Sequence, residues 1–220
     1  MSLISLRARL AARLLPAAGW RPGGRPDRSD YDLNPDVPRC DRQLRPAAVL
    51  IPVIARDEGV TVLMTRRSDS LASHTGQIAF PGGRLDPGET APEAALREAW
   101  EEVALDPAAV EVLGVGDGYE TVTGFMVTPV VGWLREPPTV TPSPDEVAEV
   151  FEVPWDYLMD PANHRRDFHD PEAGPRRWFW AMPWRERYIW GATASIVRAL
   201  KTRLYGEEVK PGIAIDEDAA

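Results

Sequence analysis

Residues 80–105 read FPGGRLDPGETAPEAALREAWEEVAL. Pro81-Gly82-Gly83 and Asp86-Pro87-Gly88 are turn formers, since proline presets φ and glycine reaches backbone angles closed to other residues. Thr90 followed by Glu93 is a capping-box pattern, and Pro92 is tolerated in a first helical turn. A helix over about 91–103 follows. At roughly 100° per residue, Glu98, Glu101 and Glu102 project into one sector, while Ala95, Leu96, Ala99, Trp100 and Val103 form a neighbouring, packing sector.

Three like charges held close repel one another unless something positive sits among them. Hard oxygen ligands converging on one spot suit Mg2+ or Mn2+. The competing reading is a solvated acidic helix face. Two features weigh against it: carboxylates late in a helix meet the negative end of its dipole, and a glycine turn before the helix lets backbone approach the same spot.

The spacing of Gly83, Glu89, Arg97, Glu98, Ala99, Glu101, Glu102, Ala104 and Leu105 resembles the Nudix box, G-x5-E-x7-R-E-U-x-E-E-x-G-U. All its charged positions are present. Ala99 is smaller than the usual aliphatic and Ala104 replaces the last glycine, departures that bear on packing and on the helix end. The resemblance implies an α/β protein, a Nudix-type α/β/α sandwich with a mixed β-sheet, over about residues 47–204. It further implies that Glu98 and Glu102 ligate Mg2+ or Mn2+, with Glu101 close by and the Gly82 carbonyl a further ligand. Arg97 would orient a carboxylate and Glu89 would pair with it. The general base is left between Glu101 and a glutamate among Glu146, Glu149 and Glu152; Glu146 is preferred because it follows the proline-rich 137–144 loop.

Upstream, Leu63, Thr65, Arg67, Ser68, Leu71, His74, Gly76, Gln77 and Phe80 match L-L-T-x-R-S-x-x-L-x-x-H-x-G-Q-x-x-F-P-G-G, with Met64 in place of a leucine. This resembles the signature of the coenzyme A pyrophosphatases. It implies hydrolysis of coenzyme A to 4′-phosphopantetheine and adenosine 3′,5′-bisphosphate. Arg66 and Arg67 are suited to phosphate oxygens through planar donor forks and are the candidates for reading the 3′-phosphate or holding the diphosphate, with His74 and Gln77 as neutral donors. The structural alternative is that Arg67 and His74 pin the loop. Phe125 stands between a stacking or channel role and plain core packing. A rival enzyme class, acting on ADP-ribose, NADH or another nucleoside diphosphate derivative, shares the box but lacks the upstream signature. A regulator with the same fold and no catalysis normally lacks the box carboxylates.

The 220-residue chain is 44% hydrophobic, enough for one domain with a full core. A net charge of −9 and a pI near 4.9 disfavour nonspecific binding to nucleic acid or to an anionic membrane. A single cysteine, Cys40, fits a reducing compartment, and no apolar run is long enough to span a membrane, so a cytoplasmic protein is expected. The expected organisation is an amphipathic helix and irregular arm over 1–46, a catalytic domain over 47–205 and an acidic tail over 206–220. Leu3, Leu6, Leu10 and Leu14 alternate with arginines, which suits a docked or partner-facing helix and also a transit peptide. Strands are expected over 47–55, 60–65, 110–115, 125–134 and 147–153, a short helix over 154–159 and a further helix over about 192–205. Residues 163–175 read as a polar loop before an aromatic hairpin over 177–190, whose tryptophans suggest a homodimer surface.

Overall fold

The computed structural model describes residues 2–18, 20–21, 23, 25–26, 28–39, 42–68, 76–172 and 174–206. His74, Leu71, Cys40 and the acidic tail beyond Gly206 lie outside the described residues. Among the described residues the α-helices are α1 (Leu3–Arg13), α2 (Ala91–Val103), α3 (Trp155–Met159) and α4 (Gly191–Tyr205). The strands are β1 (Arg28–Ser29), β2 (Arg45–Arg56), β3 (Gly59–Arg67), β4 (Ile78–Ala79), β5 (Gly82–Arg84), β6 (Glu111–Val115), β7 (Tyr119–Glu120), β8 (Phe125–Leu134), β9 (Val147–Pro154), β10 (Arg165–His169), β11 (Arg177–Trp184) and β12 (Arg187–Trp190).

The main sheet is mixed. Its path runs β1-β7-β8-β2-β3-β4, with β5 joined to β2, β6 to β8 and β9 to β3. The central pair β2·β8 is parallel, from Arg45 opposite Phe125 to Ile54 opposite Leu134. A strand covered on both faces reads as a nearly unbroken apolar run, and β2 (RPAAVLIPVIAR) does. Its alternation feeds two cores. Ala48, Leu50 and Ile54 pack with Ala91, Ala95 and Ala99 of α2, whereas Ala47, Ile51 and Val53 pack with Ile196, Val197 and Leu200 of α4. The result is the α/β/α sandwich, with α2 on one face and α3 and α4 on the other.

α2 occupies the expected residues, with the reciprocal Thr90/Glu93 capping box in place. Its buried face differs from the expected one. Trp100 is 54% exposed, and the packing face is Ala91, Ala94, Ala95, Ala99, Glu102 and Val103. Small alanines allow the helix to lie close against β2 and β5, and Glu102 falls at the centre of that stripe, with Trp100 opposite.

Two segments expected to be irregular, the arm and the 163–175 loop, hold regular structure. Arg28–Ser29 pairs in parallel with Tyr119–Glu120, and a 3-10 turn over Asp30–Leu33 carries its own Ser29/Asp32 capping box. Residues 163–175 contain β10, which pairs antiparallel with β11 and completes a three-stranded ribbon β10-β11-β12. Nothing in RRDFH signals burial, so the strand owes its order to its partner. Asn34 locks the ribbon to the N-terminal arm, its Nδ2 donating to Trp178 O at 2.9 Å and its Oδ1 accepting from Trp178 N at 2.7 Å. The tryptophans of the ribbon are half-buried within this chain. α1 packs on α4 and β6, burying Leu6 and Leu10 and pairing Arg7 with Glu111.

Candidate active site

The turn before α2 and the helix itself are fitted to each other at the backbone. A Cβ on Gly83 would overlap the Glu98 carboxylate, and one on Gly82 would overlap the Ala48 carbonyl and Val49. Only glycine permits this approach. Glu98 therefore rests on the turn, and Glu102, one helical turn later, reaches Gly82 N at 3.4 Å.

Arg97 points the other way and gathers the remaining acids. Its Nε and Nη2 donate to the two oxygens of Glu89 at 2.9 and 3.0 Å, and Nη2 also donates to Arg84 O at 2.9 Å. Nη1 donates to Glu98 at 2.9 Å and to Glu101 at 3.1 Å. These bonds hold the Glu89 carboxyl below its ordinary range and the Arg97 guanidinium firmly charged. Glu101 is more than half exposed and shares Arg97 Nη1 with Glu98.

Glu102 has the opposite surroundings. It is 4% exposed, and the Arg67 Nη1 is 3.8 Å away. Burial pushes its carboxyl up to about 8, against the pull of Arg67 and with a further push from Glu98 and Glu146. Burial likewise raises Glu98, opposed by Arg97 and reinforced by Glu101 and Glu146.

Glu146 belongs to this group because of how α2 ends. The last carbonyls of a helix lack intrahelical partners. Here the incoming loop supplies them: Thr141 N donates to Val103 O and Ser143 N to Glu102 O, both at 2.8 Å. Ser68 N then donates to Glu146 O at 2.9 Å, tying the loop to the end of β3. Glu149 and Glu152 are drawn elsewhere, the first to Arg66 and Arg187, the second to Arg56 and Thr61. Arg66 and Arg67, neighbours on one strand, thus serve opposite faces of the sheet.

Gln77 O accepts from Arg67 N at 2.9 Å. Beside it opens a cavity of about 510 Å3 lined largely by apolar and aromatic groups, among them Phe80, Trp178, Phe179 and Trp190, with the polar Gln77 also on its lining. Val49, in register with Gly82, lies on the same wall, so the cavity borders the glycine turn. The spacing of these aromatics in the sequence gives no sign that β12 folds back onto β4. Phe125 is half-buried, with the Arg45 guanidinium 4.0 Å from its ring centroid.

A NUDIX domain model matches residues 44–179. The chain belongs to the Nudix hydrolase family. It is 43% identical over 175 residues to the Nudix hydrolase NudL of Cronobacter sakazakii, itself uncharacterized, covering 78% of this chain and 89% of that one. It is 42% identical to NudL of Escherichia coli K12 over the same shares. Among solved Nudix-fold structures, a C. elegans Ap4A hydrolase binary complex overlaps 50% of this chain and 80% of its own at 22% identity and a TM-score of 0.45.

Nudix hydrolases generally use divalent cations. The residues present fit such an ion: Glu102 is a buried carboxylate with only long contacts, and Glu98 shares the Gly82-Gly83 turn with it. Among the described residues no three acidic or imidazole side chains already form a cage, so the fit rests on this pair and the turn backbone. No helix among the described residues is long and apolar enough to cross a membrane.

Proposed function

We propose that this Nudix hydrolase cleaves the diphosphate of coenzyme A, giving 4′-phosphopantetheine and adenosine 3′,5′-bisphosphate. The observation that carries the reading is the junction of Arg67 and Gln77, both positions of the coenzyme A pyrophosphatase signature. Arg67 reaches toward Glu102, and Gln77 lines the apolar cavity. A diphosphate flanked by a long neutral arm needs both features. ADP-ribose and NADH carry a second polar sugar, which the aromatic lining matches less well.

Glu98 and Glu102, with Glu101 and the Gly82 carbonyl, would hold Mg2+ or Mn2+, which supplies charge neutralisation on the diphosphate and a more acidic water. The chain's own residues do the rest. Arg97 is a positioning residue that braces Glu98 and Glu89. Arg67 donates to phosphate oxygens. Glu146, exposed and electrostatically coupled to both Glu98 and Glu102, accepts the proton of the attacking water. The water oxygen bonds to phosphorus, the bridging P–O bond breaks, and its electron pair leaves with the departing phosphate.

Turnover of coenzyme A, ADP-ribose and NADH at equal concentration with Mg2+ or Mn2+ tests the reading. Coenzyme A is expected to lead by at least tenfold, roughly 1.4 kcal/mol of discrimination. Equal or faster turnover of ADP-ribose would transfer the assignment to that substrate class.

A further inference from the structure

One end of the apolar cavity beside the glycine turn is bordered by arginines. Along β2 the side chains of Arg45, Ala47 and Val49 share one face of the sheet, and Arg84 and Gly82 of β5 stand opposite Ala47 and Val49. On β8, Val127 pairs with Ala47 and Phe125 with Arg45. Val49 and Val127 line the cavity, so Arg84 lies in the Val127 row and Arg45 and Phe125 in the row beyond it. The Arg45 guanidinium is 4.0 Å and the Arg84 guanidinium 5.5 Å from the Phe125 ring centroid. Both arginines are exposed, and the ring between them is half-buried.

The charges at this end are not balanced. Arg45 Nη2 donates to Thr123 O at 2.9 Å and Arg42 Nη2 to Val122 O at 2.8 Å, neutral partners that leave both guanidiniums fully charged. The Arg84 side chain rests against the Phe125 ring, and none of the three makes an ion pair among the described residues. The acids on the same segments are few. Glu120 is paired with Arg25 and Arg39. Asp30 accepts from Val122 N at 2.7 Å, and Asp86, two residues after Arg84, faces Arg97 at 3.9 Å. With Asp30 and Asp86 both counted as charged, three arginines still leave a positive surplus. Glu98 is on the other face of β5, where a Cβ on Gly83 would meet it.

We propose that Arg45 and Arg84, gathered on the Phe125 ring, bind the 3′-phosphate of coenzyme A and are specificity-determining residues for a 3′-phosphorylated adenosine, an inference that rests on the substrate reading given above. A phosphomonoester carries about two negative charges near neutral pH and takes guanidinium forks through its oxygens. Phe125 is the platform that keeps two like charges side by side, since each cation is drawn to the ring. Gln77 precedes the glycine turn and Arg84 follows it. A neutral arm on the Gln77 side of the cavity and a phosphate at the Arg84 end therefore leave the diphosphate at the turn between them. Arg66, held by Glu149, and Arg67, beside Glu102, stand outside this cluster.

Turnover of coenzyme A and of 3′-dephospho-coenzyme A is compared in wild type, Arg84→Met and Arg45→Met, methionine keeping an apolar cover on Phe125. Each variant is expected to lose about ten- to a hundredfold in kcat/KM on coenzyme A and to stay within about twofold on the dephosphorylated substrate. Arg84→Lys should recover part of the loss. Equal losses on both substrates would make the arginines props of the fold or of the diphosphate, and no loss on either would make them surface charges; both results overturn the proposal. A binding measurement separates it from the identity of the substrate. In chelator, wild type should bind adenosine 3′,5′-bisphosphate at least about tenfold more tightly than adenosine 5′-monophosphate by calorimetry, a preference that should vanish in the Arg45→Met/Arg84→Met double variant. If coenzyme A is not turned over and this preference and its loss are nevertheless seen, the substrate reading falls and the arginine site stands. Equal affinity of wild type for the two nucleotides, or saturation by neither at millimolar concentration, overturns the arginine site whatever the substrate.

Discussion

Glu89 and Glu102 flank the same helix and live in opposite conditions. Glu89 takes both prongs of the Arg97 fork and the Asp86 N–H, and its carboxyl is held low. Glu102 is buried with contacts of 3.4 and 3.8 Å, and its carboxyl is pushed up to about 8. A satisfied carboxylate is a strut that fixes geometry. A buried carboxylate left short of partners stores free energy that a cation or a proton can release, which is why such groups gather at functional sites. Arg97 stands between the two conditions, touching Glu89, Glu98 and Glu101 but not Glu102.

The strongest test of this contrast is Glu102→Gln. Loss of the short-partnered carboxylate is expected to lower kcat at least a hundredfold, about 3 kcal/mol of barrier. In chelator the same variant should melt a few degrees higher than wild type, because a neutral amide no longer bears the cost of a buried charge. Activity near wild type at saturating Mg2+ would break the contrast, since Glu102 would then be a strut as well.

Arg97→Leu probes the other side. It leaves Glu89 and Glu98 without their main partner, and a stability loss of about 2 kcal/mol is expected, discounted from the fully buried case because Arg97 is 27% exposed. Arg97→Lys should restore little, since an ammonium cannot reproduce the two-pronged bond to Glu89. The sign of the pH dependence follows from Glu89. Its folded carboxyl is held below the ordinary value of 4.5, so its contribution is present above that pH and is lost as pH falls through the folded value. The gap between wild type and Arg97→Leu in urea unfolding should therefore narrow below about pH 4.5. A gap that widened in acid would contradict the strut role.

The two neighbouring arginines of β3 sharpen the contrast at smaller scale. Either one, from sequence, was a candidate reader of the 3′-phosphate of coenzyme A. The structure puts Arg67 beside Glu102 and Arg66 against Glu149 on the other face. Arg67→Ala is therefore expected to lower kcat/KM about ten- to a hundredfold on coenzyme A and on 3′-dephospho-coenzyme A alike, the worth of a charge-assisted hydrogen bond to the shared diphosphate. Arg66→Ala should change either substrate less than about threefold. A selective loss on coenzyme A in Arg67→Ala would restore the 3′-phosphate reading.

Much of this was legible because it is local. The capping box, Pro92 and the glycine turn are short-range signals, and they set the bounds of α2 before any tertiary contact is known. The apolar runs of β2 and β8 announce strands buried on both faces. The error over Trp100 was avoidable: Ala91, Ala95 and Ala99 mark the side that must lie close to the sheet, and at roughly 100° per residue Glu102 falls within that stripe while Trp100 lies opposite. β10 was not legible, since RRDFH has no buried face of its own. Nor was the apolar cavity, which arises where β11, the 28–33 turn and α4 meet, and no spacing in the sequence brings those three together.

The smallest expected effect lies one residue past α2. Ala104, where the Nudix box has glycine, ends the helix in the left-handed conformation with φ +53° and ψ +32°. A side chain there crowds the following carbonyl, at a cost of roughly 1–2 kcal/mol that glycine escapes. The residue is kept in place by its neighbours: Ala104 N donates to Trp100 O at 2.9 Å, and Leu105, 1% exposed, donates to Ala99 O at 3.3 Å. Ala104→Gly removes the strain but gives the unfolded chain more freedom, which takes back part of the gain. A net rise of about 0.5–1 kcal/mol is expected, or roughly 1–4 °C in Tm. The loop that delivers Glu146 is anchored on Glu102 O and Val103 O, just before this point, so kcat should stay within about twofold of wild type. A stabilised variant with kcat reduced tenfold would show that the strained helix end itself holds the Glu146 loop over the Glu98–Glu102 pair, and a strut would then have been found where the contrast assigns none.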